Sequence, residues 1–187
     1  SRKGLAYVKA AVQATTPGDF DTYCGKLVKY EEIADRIEYE IATFLRAIPE
    51  GSISEHTRQR ITAMYKIVGE LERLGDSGEA ISRILSRRNA HKQVFSPQYI
   101  ANIESMIALV DQAYEVMIAN LENNGTLQAA IDSEIAINTL RNNLRDEAVT
   151  DKNVAYQNSA YYMDVVSELE RMGDYIINVS ETVHGKK

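Results

Sequence analysis

Two copies of one seven-residue acidic motif are the part of this sequence best suited to chemistry. Residues 70–76 read Glu-Leu-Glu-Arg-Leu-Gly-Asp, and residues 168–174 repeat them as Glu-Leu-Glu-Arg-Met-Gly-Asp. An apolar residue can recur because a core requires it. Here three acids and an arginine recur in register, although surface charges are usually the least constrained positions of a helix. The repeat therefore indicates a shared role for these charges.

Within each motif, two carboxylates lie four residues apart and so share one face of a helix. They are Glu72 with Asp76, and Glu170 with Asp174. Like charges at this spacing destabilise a helix by about 0.2–0.5 kcal/mol per pair, which favours a compensating cation nearby. Several such oxygens on two facing helices are the arrangement that a hard or borderline divalent ion requires.

A salt-bridged surface is the plainer explanation of the same acids. Lys66, Arg73 and Arg171 lie within or beside the two motifs and are available as protein cations. Helix geometry alone favours this alternative, because acidic runs usually form solvated faces. Under it, the chain is a structural helical bundle without a metal site.

Each acidic pair borders an apolar stripe at helical spacing, and the helix before each motif repeats this arrangement. Glu31, Asp35 and Glu38 border the stripe that precedes the first motif, while Glu134 and Asn138 take the related position before the second. The two stripes of the first half run through Leu27, Tyr30, Ala34, Ile37, Ile41 and Ile48, and through Met64, Ile67, Leu71, Leu74, Gly78, Ile81 and Leu85. Each half of the chain thus offers two adjacent helices with acidic flanks.

Helix-ending residues divide the chain into six predicted helices. Asp19 and either Ser52 or Ser54 are predicted N-caps, and Ser96 followed by Pro97 marks a further helix start. The predicted helices cover approximately residues 2–14, 19–48, 52–88, 97–123, 127–148 and 153–184. Long helices joined by short turns pack antiparallel, so we expect an all-α antiparallel helical bundle of six helices.

The repeated motif also predicts the domain organisation. Residues 1–18 form a short N-terminal helix and linker, residues 19–125 the first copy of a three-helix unit, and residues 126–187 a second, incomplete copy. The short N-terminal helix is then available to complete the second unit. Together the two repeats form one compact domain.

The Glu-x-x-x-Asp element, carried twice within Glu-Leu-Glu-Arg-x-Gly-Asp, resembles the PhoU family of phosphate-homeostasis proteins. The resemblance covers approximately residues 19–184. The short extra N-terminal helix and the incomplete second unit are similar to the PhoU-like cytoplasmic domain that lies C-terminal to the membrane part of bacterial sodium/phosphate cotransporters. The resemblance implies two PhoU-like repeats in a non-enzymatic regulatory domain of phosphate transport.

The resemblance also implies a cofactor, a partner and a location. Some family members bind iron or zinc ions through these motifs, and the implied partner is the membrane-embedded part of a phosphate transporter, in cis, at the cytoplasmic side of the bacterial inner membrane. The ligand positions carried over are Glu31, Asp35, Glu72 and Asp76 in the first unit, and Glu134, Asn138, Glu170 and Asp174 in the second. Asn138 stands where the first unit has Asp35, so the second site is poorer in charge. Assembly into a homo-oligomer is left open.

Composition argues against several other classes. A formal charge of −6 disfavours a nucleic-acid surface, and the lone Cys24 is expected to be a small buried residue. No stretch approaches the roughly 18 apolar residues of a membrane span. No nucleophile with an adjacent general base can be identified in the sequence. A ferritin-like di-metal oxidoreductase is a less favoured alternative, since that class needs Glu-x-x-His from two helices and only Glu181 and His184 provide it.

The start of the chain has two interpretations. It begins with Ser1 rather than methionine, followed by Arg2, Lys3 and Lys9, which suits a fragment excised from just inside a membrane. A processed initiator methionine explains the same start.

Overall fold

The computed structural model of the chain describes residues 2–48, 53–150 and 156–185, and this part of the chain contains six helices and no strand. The helices are α1 (Arg2–Gln13), α2 (Pro17–Arg46), α3 (Glu55–Ala90), α4 (Pro97–Leu121), α5 (Leu127–Thr150) and α6 (Tyr156–Val183). None of these described helices carries a stretch long and apolar enough to cross a bilayer. The predicted all-α fold is confirmed.

Side-chain caps fix where the longer helices begin. The hydroxyl oxygens of Thr16, Ser54 and Ser96 each accept a hydrogen bond from the backbone N–H three residues later, at 3.1–3.2 Å. Such a cap contributes about 1 kcal/mol. The prediction of Asp19 as a cap is wrong, because Pro17 is compatible with the first helical turn and the cap is Thr16, three residues earlier. Asp19 instead accepts a hydrogen bond from the Thr16 hydroxyl at 2.7 Å.

The remaining helix limits lie close to the predicted ones. α2 ends two residues early, where the Ala47 N–H bonds to the Phe44 carbonyl and tightens the last turn. α5 continues two residues further, to Thr150. The predicted cap Ser52 and the predicted start of the sixth helix at residue 153 lie outside the described residues.

The two motif helices, α3 and α6, pack against each other at the centre of the bundle. α2 lies against α3, and both α4 and α5 lie against α6, while α1 contacts α2, α3 and α4. The core forms between these layers and contains fully buried side chains from both motif helices, including Ile81, Leu85, Tyr162 and Leu169. The motif helices are therefore held rigidly, and their outer flanks face α2 on one side and α5 on the other.

The packing groups α4 with the second half of the chain rather than the first. Among the described residues α4 contacts α5, α6 and α1, but neither α2 nor α3. The Tyr99 ring stacks on Tyr162 with centroids 3.8 Å apart, and Asn102 donates a hydrogen bond to the Tyr162 hydroxyl at 3.1 Å. The packing groups α1–α3 and α4–α6 as three-helix units, whereas the predicted division at residue 125 groups α4 with α2 and α3. Each motif lies on the last helix of its packed unit.

The first glutamate of each motif joins α3 to α6. Asn178 on α6 donates a hydrogen bond to Glu70 at 3.2 Å, and Ser77 on α3 donates one to Glu168 at the same distance. Each carboxylate thus accepts from the opposite helix, in a nearly symmetric pair of contacts. A structural role in pairing the helices explains why these two acids recur.

The arginine of each motif neutralises that same first glutamate. Arg73 lies 3.0 Å from Glu70, and Arg171 lies 2.6 Å from Glu168. Arg73 also lies over the ring of Tyr175 on α6. These arginines are therefore committed to the α3–α6 contact and leave the second glutamate and the aspartate of each motif to another partner.

Replacing Ile81 by alanine should lower the free energy of unfolding by about 3 kcal/mol, because the fully buried side chain leaves a cavity beside α6. Ile135→Ala is the matched control, since this isoleucine is 56% exposed on α5 and its loss should change stability by less than about 0.5 kcal/mol. Urea denaturation followed by circular dichroism measures both. Equal effects of the two substitutions would contradict the packing described here.

Candidate metal centre

A glycine in each motif lets the neighbouring helix approach closely. A Cβ atom added to Gly75 would lie 3.0 Å from the Ala34 Cβ and 3.5 Å from the Glu31 Cα. Gly75 therefore marks a close contact between α3 and α2. Because Asp76 follows it directly, the same contact brings the motif carboxylate next to the acids of α2.

Three of the four carboxylates predicted for the first unit converge. Oxygen atoms of Glu31, Asp35 and Asp76 all lie within 4.8 Å of one another. Glu31 is half-buried, while Asp35 and Asp76 are exposed. Glu72, the fourth predicted ligand, and Glu38 lie beside this group on the α3 and α2 sides. These five residues are called the first acidic site below.

Burial and mutual repulsion raise the pKa of two of these carboxyls. The pKa of Glu72 is raised to about 7, first by desolvation and then by the charges of Asp76, Asp35 and Glu38. The pKa of Glu31 is also raised, again chiefly by desolvation and then by its acidic neighbours. Without a cation, the protein therefore favours protonation within this site.

No protein cation compensates the first acidic site. Within the described part of the chain, no Lys, Arg or His nitrogen lies within 4.0 Å of any of its five carboxylates. Arg73 and Arg171 bind other glutamates, and Lys66 forms no salt bridge in those residues. The nearby Glu79 has its own partner, Arg83, at 3.2 Å. Among the described residues, the three cations of the salt-bridged alternative therefore do not pair with the acids of the first acidic site.

The second unit repeats the helix contact but not the electrostatics. A Cβ atom on Gly173 would lie 2.9 Å from the Ile137 Cδ1, so α5 approaches α6 as α2 approaches α3. Here, however, Arg141 on α5 forms a salt bridge with Glu170 at 2.7 Å, and both side chains are partly buried. A protein cation thus occupies the place that a metal ion would need.

Arg141 is a functional residue that was not predicted from the sequence. Aligning the two repeats would nevertheless have shown its position. The row Glu31, Asp35 and Glu38 recurs with the same spacing at residues 134, 138 and 141. The third member changes from a glutamate to Arg141. Comparing the rows at this register would have predicted a neutralised second site.

In the second unit, the negative charge around the motif acids is reduced by the neighbouring arginines but not removed. The pKa of Asp174 is raised by desolvation and then by Glu170 and Glu134, while Arg141 and Arg171 oppose that increase. The Asn138 side-chain oxygen is buried and has no hydrogen-bond partner among the described residues. All four predicted residues therefore lie in one region, but with an amide and an arginine among them their donor set suits a metal ion less well.

Similarity to known proteins can now be compared with this geometry. Residues 103–183 match the family model described as PhoU domain. This stretch is similar to a PhoU domain and runs from Ile103, in the first half of α4, to the end of α6, so it covers most of the helices that pack as the second unit. No curated protein sequence matches the chain significantly.

Two solved structures share the fold over nearly the whole chain. PhoU from Pseudomonas aeruginosa superimposes with a TM-score of 0.80 at 16% identity, covering 97% of this chain and 87% of that one. The phosphate transport system regulatory protein PhoU from Streptococcus pneumoniae gives a TM-score of 0.71 at 19% identity, covering 97% and 86%. The described chain therefore has the PhoU fold, including the unit formed by α1–α3.

An apolar cavity of about 210 Å³ adjoins the first acidic site of this PhoU fold, between α2 and α3. Glu38 and Glu72 line one side of it, next to apolar residues of both helices. The predicted packing residues Ile37 and Met64 are exposed at 50% and 44%, and Phe44 further along α2 is exposed at 70%. The outer ends of α2 and α3 thus offer apolar surface beside the acids.

The ferritin-like alternative lacks its ligands in this fold. His184 interacts with the Asn120 side chain, with its Nε2 at 3.0 Å from the amide oxygen, and forms no contact with a carboxylate in the described residues. The single Glu-x-x-His element therefore supports the end of α4 rather than a metal centre.

Replacing Gly75 by alanine should destabilise the protein by about 1 kcal/mol, because the new methyl group would push Ala34 and α2 away. Gly69→Ala, on the same helix, meets nothing within 4 Å and should instead stabilise by about 0.5–1 kcal/mol through helix propensity. Thermal or urea unfolding compares the two variants. Stabilisation by both would show that α2 does not approach α3 closely at this glycine.

Stability of the metal-free protein should fall as pH rises from about 4.5 to about 7. The folded pKa of Glu72 is raised, so folded protein binds the proton more tightly and the associated stability is lost as the carboxyl ionises. Partial exposure to water limits the effect to about 1 kcal/mol. Glu72→Gln should remove this part of the pH dependence and be more stable than the wild type at high pH.

The control for this measurement is Glu32→Gln, an exposed position on α2 outside the first acidic site. Unfolding is measured in the presence of a chelator across the pH range. An unchanged pH profile for Glu72→Gln would contradict the raised pKa.

Proposed function

We propose that this chain is a non-enzymatic regulatory domain of a phosphate transporter, and that it holds a divalent metal ion at the first acidic site. The observation that carries the metal assignment is the convergence of the Glu31, Asp35 and Asp76 oxygens with no protein cation nearby. The regulatory assignment rests on the PhoU fold. The Streptococcus pneumoniae protein with this fold is named as a regulatory protein of a phosphate transport system.

The proposed transporter is a bacterial sodium/phosphate cotransporter that carries this domain in cis, at the cytoplasmic side of the inner membrane. Support comes from the layout of a short first helix before the PhoU-like helices. The basic residues near the start give less support, because Arg2 already pairs with Asp111 at 2.6 Å and Glu115 at 2.8 Å. Lys3 and Lys9 remain exposed and suit the neighbourhood of anionic lipid.

The donor set suits an oxygen-binding ion. Glu31 and Asp35 would bind from α2 and Asp76 from α3, with Glu72 close enough to contribute a further oxygen. Iron or zinc is proposed, as in carboxylate sites of helical bundles. When bound, the ion supplies positive charge that offsets the repulsion between the two helices.

Metal binding would affect the surface that a partner contacts. The first acidic site and the exposed apolar residues Ile37, Phe44 and Met64 lie on the same two helices. Neutralising the carboxylates lowers the negative charge beside this apolar surface and fixes α2 against α3. We propose that the membrane part of the transporter contacts this side of the domain.

Wild-type protein purified without chelators should contain bound metal. The variants Asp35→Asn and Asp76→Asn should each lose it, because each substitution deletes one charged donor. Elemental analysis provides the measurement. Glu32→Gln is the matched control on α2, and Asp174→Asn tests the neutralised second site; both should retain the wild-type metal content. Absence of metal from the wild type, or metal content unchanged in Asp35→Asn and Asp76→Asn, would leave a structural bundle without metal as the correct alternative.

The regulatory assignment is tested separately with the complete gene product. Membrane-spanning segments encoded upstream of residue 1 would support the cotransporter, and deleting residues 1–187 should then alter phosphate uptake or its regulation. The triple variant Glu31→Gln, Asp35→Asn and Asp76→Asn should reproduce part of that change. Uptake and regulation that are unaffected by the deletion would reject the regulatory role whatever the metal content.

A further inference from the structure

Arg88, near the C-terminal end of α3, is a buried cation without an anionic partner. Arg88 is only 8% exposed, and its guanidinium lies 4.5 Å from the centre of the Phe95 ring. Its Nε and Nη2 donate hydrogen bonds to the neighbouring Asn89 side chain at 3.1 Å and 2.7 Å. Within the described residues no carboxylate lies within 4.0 Å of it. The neutral amide leaves its charge unbalanced.

Burial of an unpaired charge is unfavourable by several kcal/mol, so such a group usually has a counter-ion. Desolvation lowers the pKa of Arg88, and Cys24 is the nearest group that opposes this effect. The Cys24 thiol cannot serve as the anion at neutral pH, because burial raises its pKa to about 11. The partner of Arg88 must therefore come from outside the described residues.

Arg88 lines a cavity of about 790 Å³ between the α1–α2 turn and the α3–α4 turn. Lys92 brings a second positive charge to its wall. Asp21 is the acid on this wall, and it leaves the two cations in excess.

We propose that this cavity binds a phosphate group, either as inorganic phosphate or as a phosphomonoester, with Arg88 as its central donor. The planar guanidinium presents paired N–H groups that match phosphate oxygens, and a phosphate group brings negative charge to a wall on which Arg88 and Lys92 exceed Asp21 by one positive charge. Thr16 lies about 22 Å along α2 from Glu31, so this anion site is separate from the first acidic site.

Titration of isotopically labelled, metal-free protein with inorganic phosphate, at constant ionic strength, tests the proposal by NMR. Saturable shifts are expected in the amides around Thr16, Arg88 and Gln93, but not with chloride. Arg88→Met should abolish them, and Lys92→Met should weaken binding about tenfold. Arg87→Met, at the exposed neighbouring position, is the matched control and should bind as the wild type does.

Each outcome is decisive. No saturable shift at millimolar phosphate or glycerol phosphate, or shifts unchanged in Arg88→Met, would overturn the proposal. If Arg88→Met does not fold, the exposed Lys92→Met decides, because unchanged affinity in that variant would also overturn it. Tighter binding of glycerol phosphate would identify a phosphomonoester, and tighter binding of phosphate the free anion. Asp35→Asn, which removes a proposed metal ligand, should retain phosphate binding. Failure of the metal proposal can therefore be distinguished from failure of the phosphate proposal.

Discussion

Repulsion among the five carboxylates of the first acidic site is the constraint on which this half of the structure depends. The acids approach because Gly75 removes the side chain that would keep α2 from α3. α3 in turn cannot retreat, since its other side is packed on α6 and tied there by Glu70 and Glu168. The pKa of Glu72 is raised first by desolvation in this packed position and then by the charges of its acidic neighbours. A cation is the natural complement of such a site.

The two halves of the molecule show how one backbone arrangement supports two electrostatic outcomes. Gly75 and Gly173 create equivalent helix contacts, and the acids follow at equivalent positions. Two positions differ: Asn138 replaces Asp35 and removes a charge, and Arg141 replaces Glu38 and supplies the second half with its own cation. The internal salt bridge neutralises Glu170, whereas the five acids of the first acidic site have no cation within 4.0 Å among the described residues.

The opposite end of the first unit carries the reverse imbalance. Arg88 is buried against Phe95 without an acid, while the acids further along α2 are gathered without a base. Folding places these groups where they cannot neutralise each other, because α2 and α3 are long and stiff. The same pair of helices therefore carries an uncompensated negative region and an unpaired buried cation at separate places.

The sequence by itself determined the six helices, most of their predicted caps and the acidic faces. These features are local, since hydrogen-bonded turns and a fixed residue spacing set them before any packing occurs. Only the tertiary structure decided that Glu70 and Glu168 bind across to the opposite helix, that Arg141 reaches Glu170, and that α4 belongs with α5 and α6. Helical periodicity shows which side chains share a face, but the partner of that face is set by how distant helices fit together, and that fit depends on the shape of the whole core.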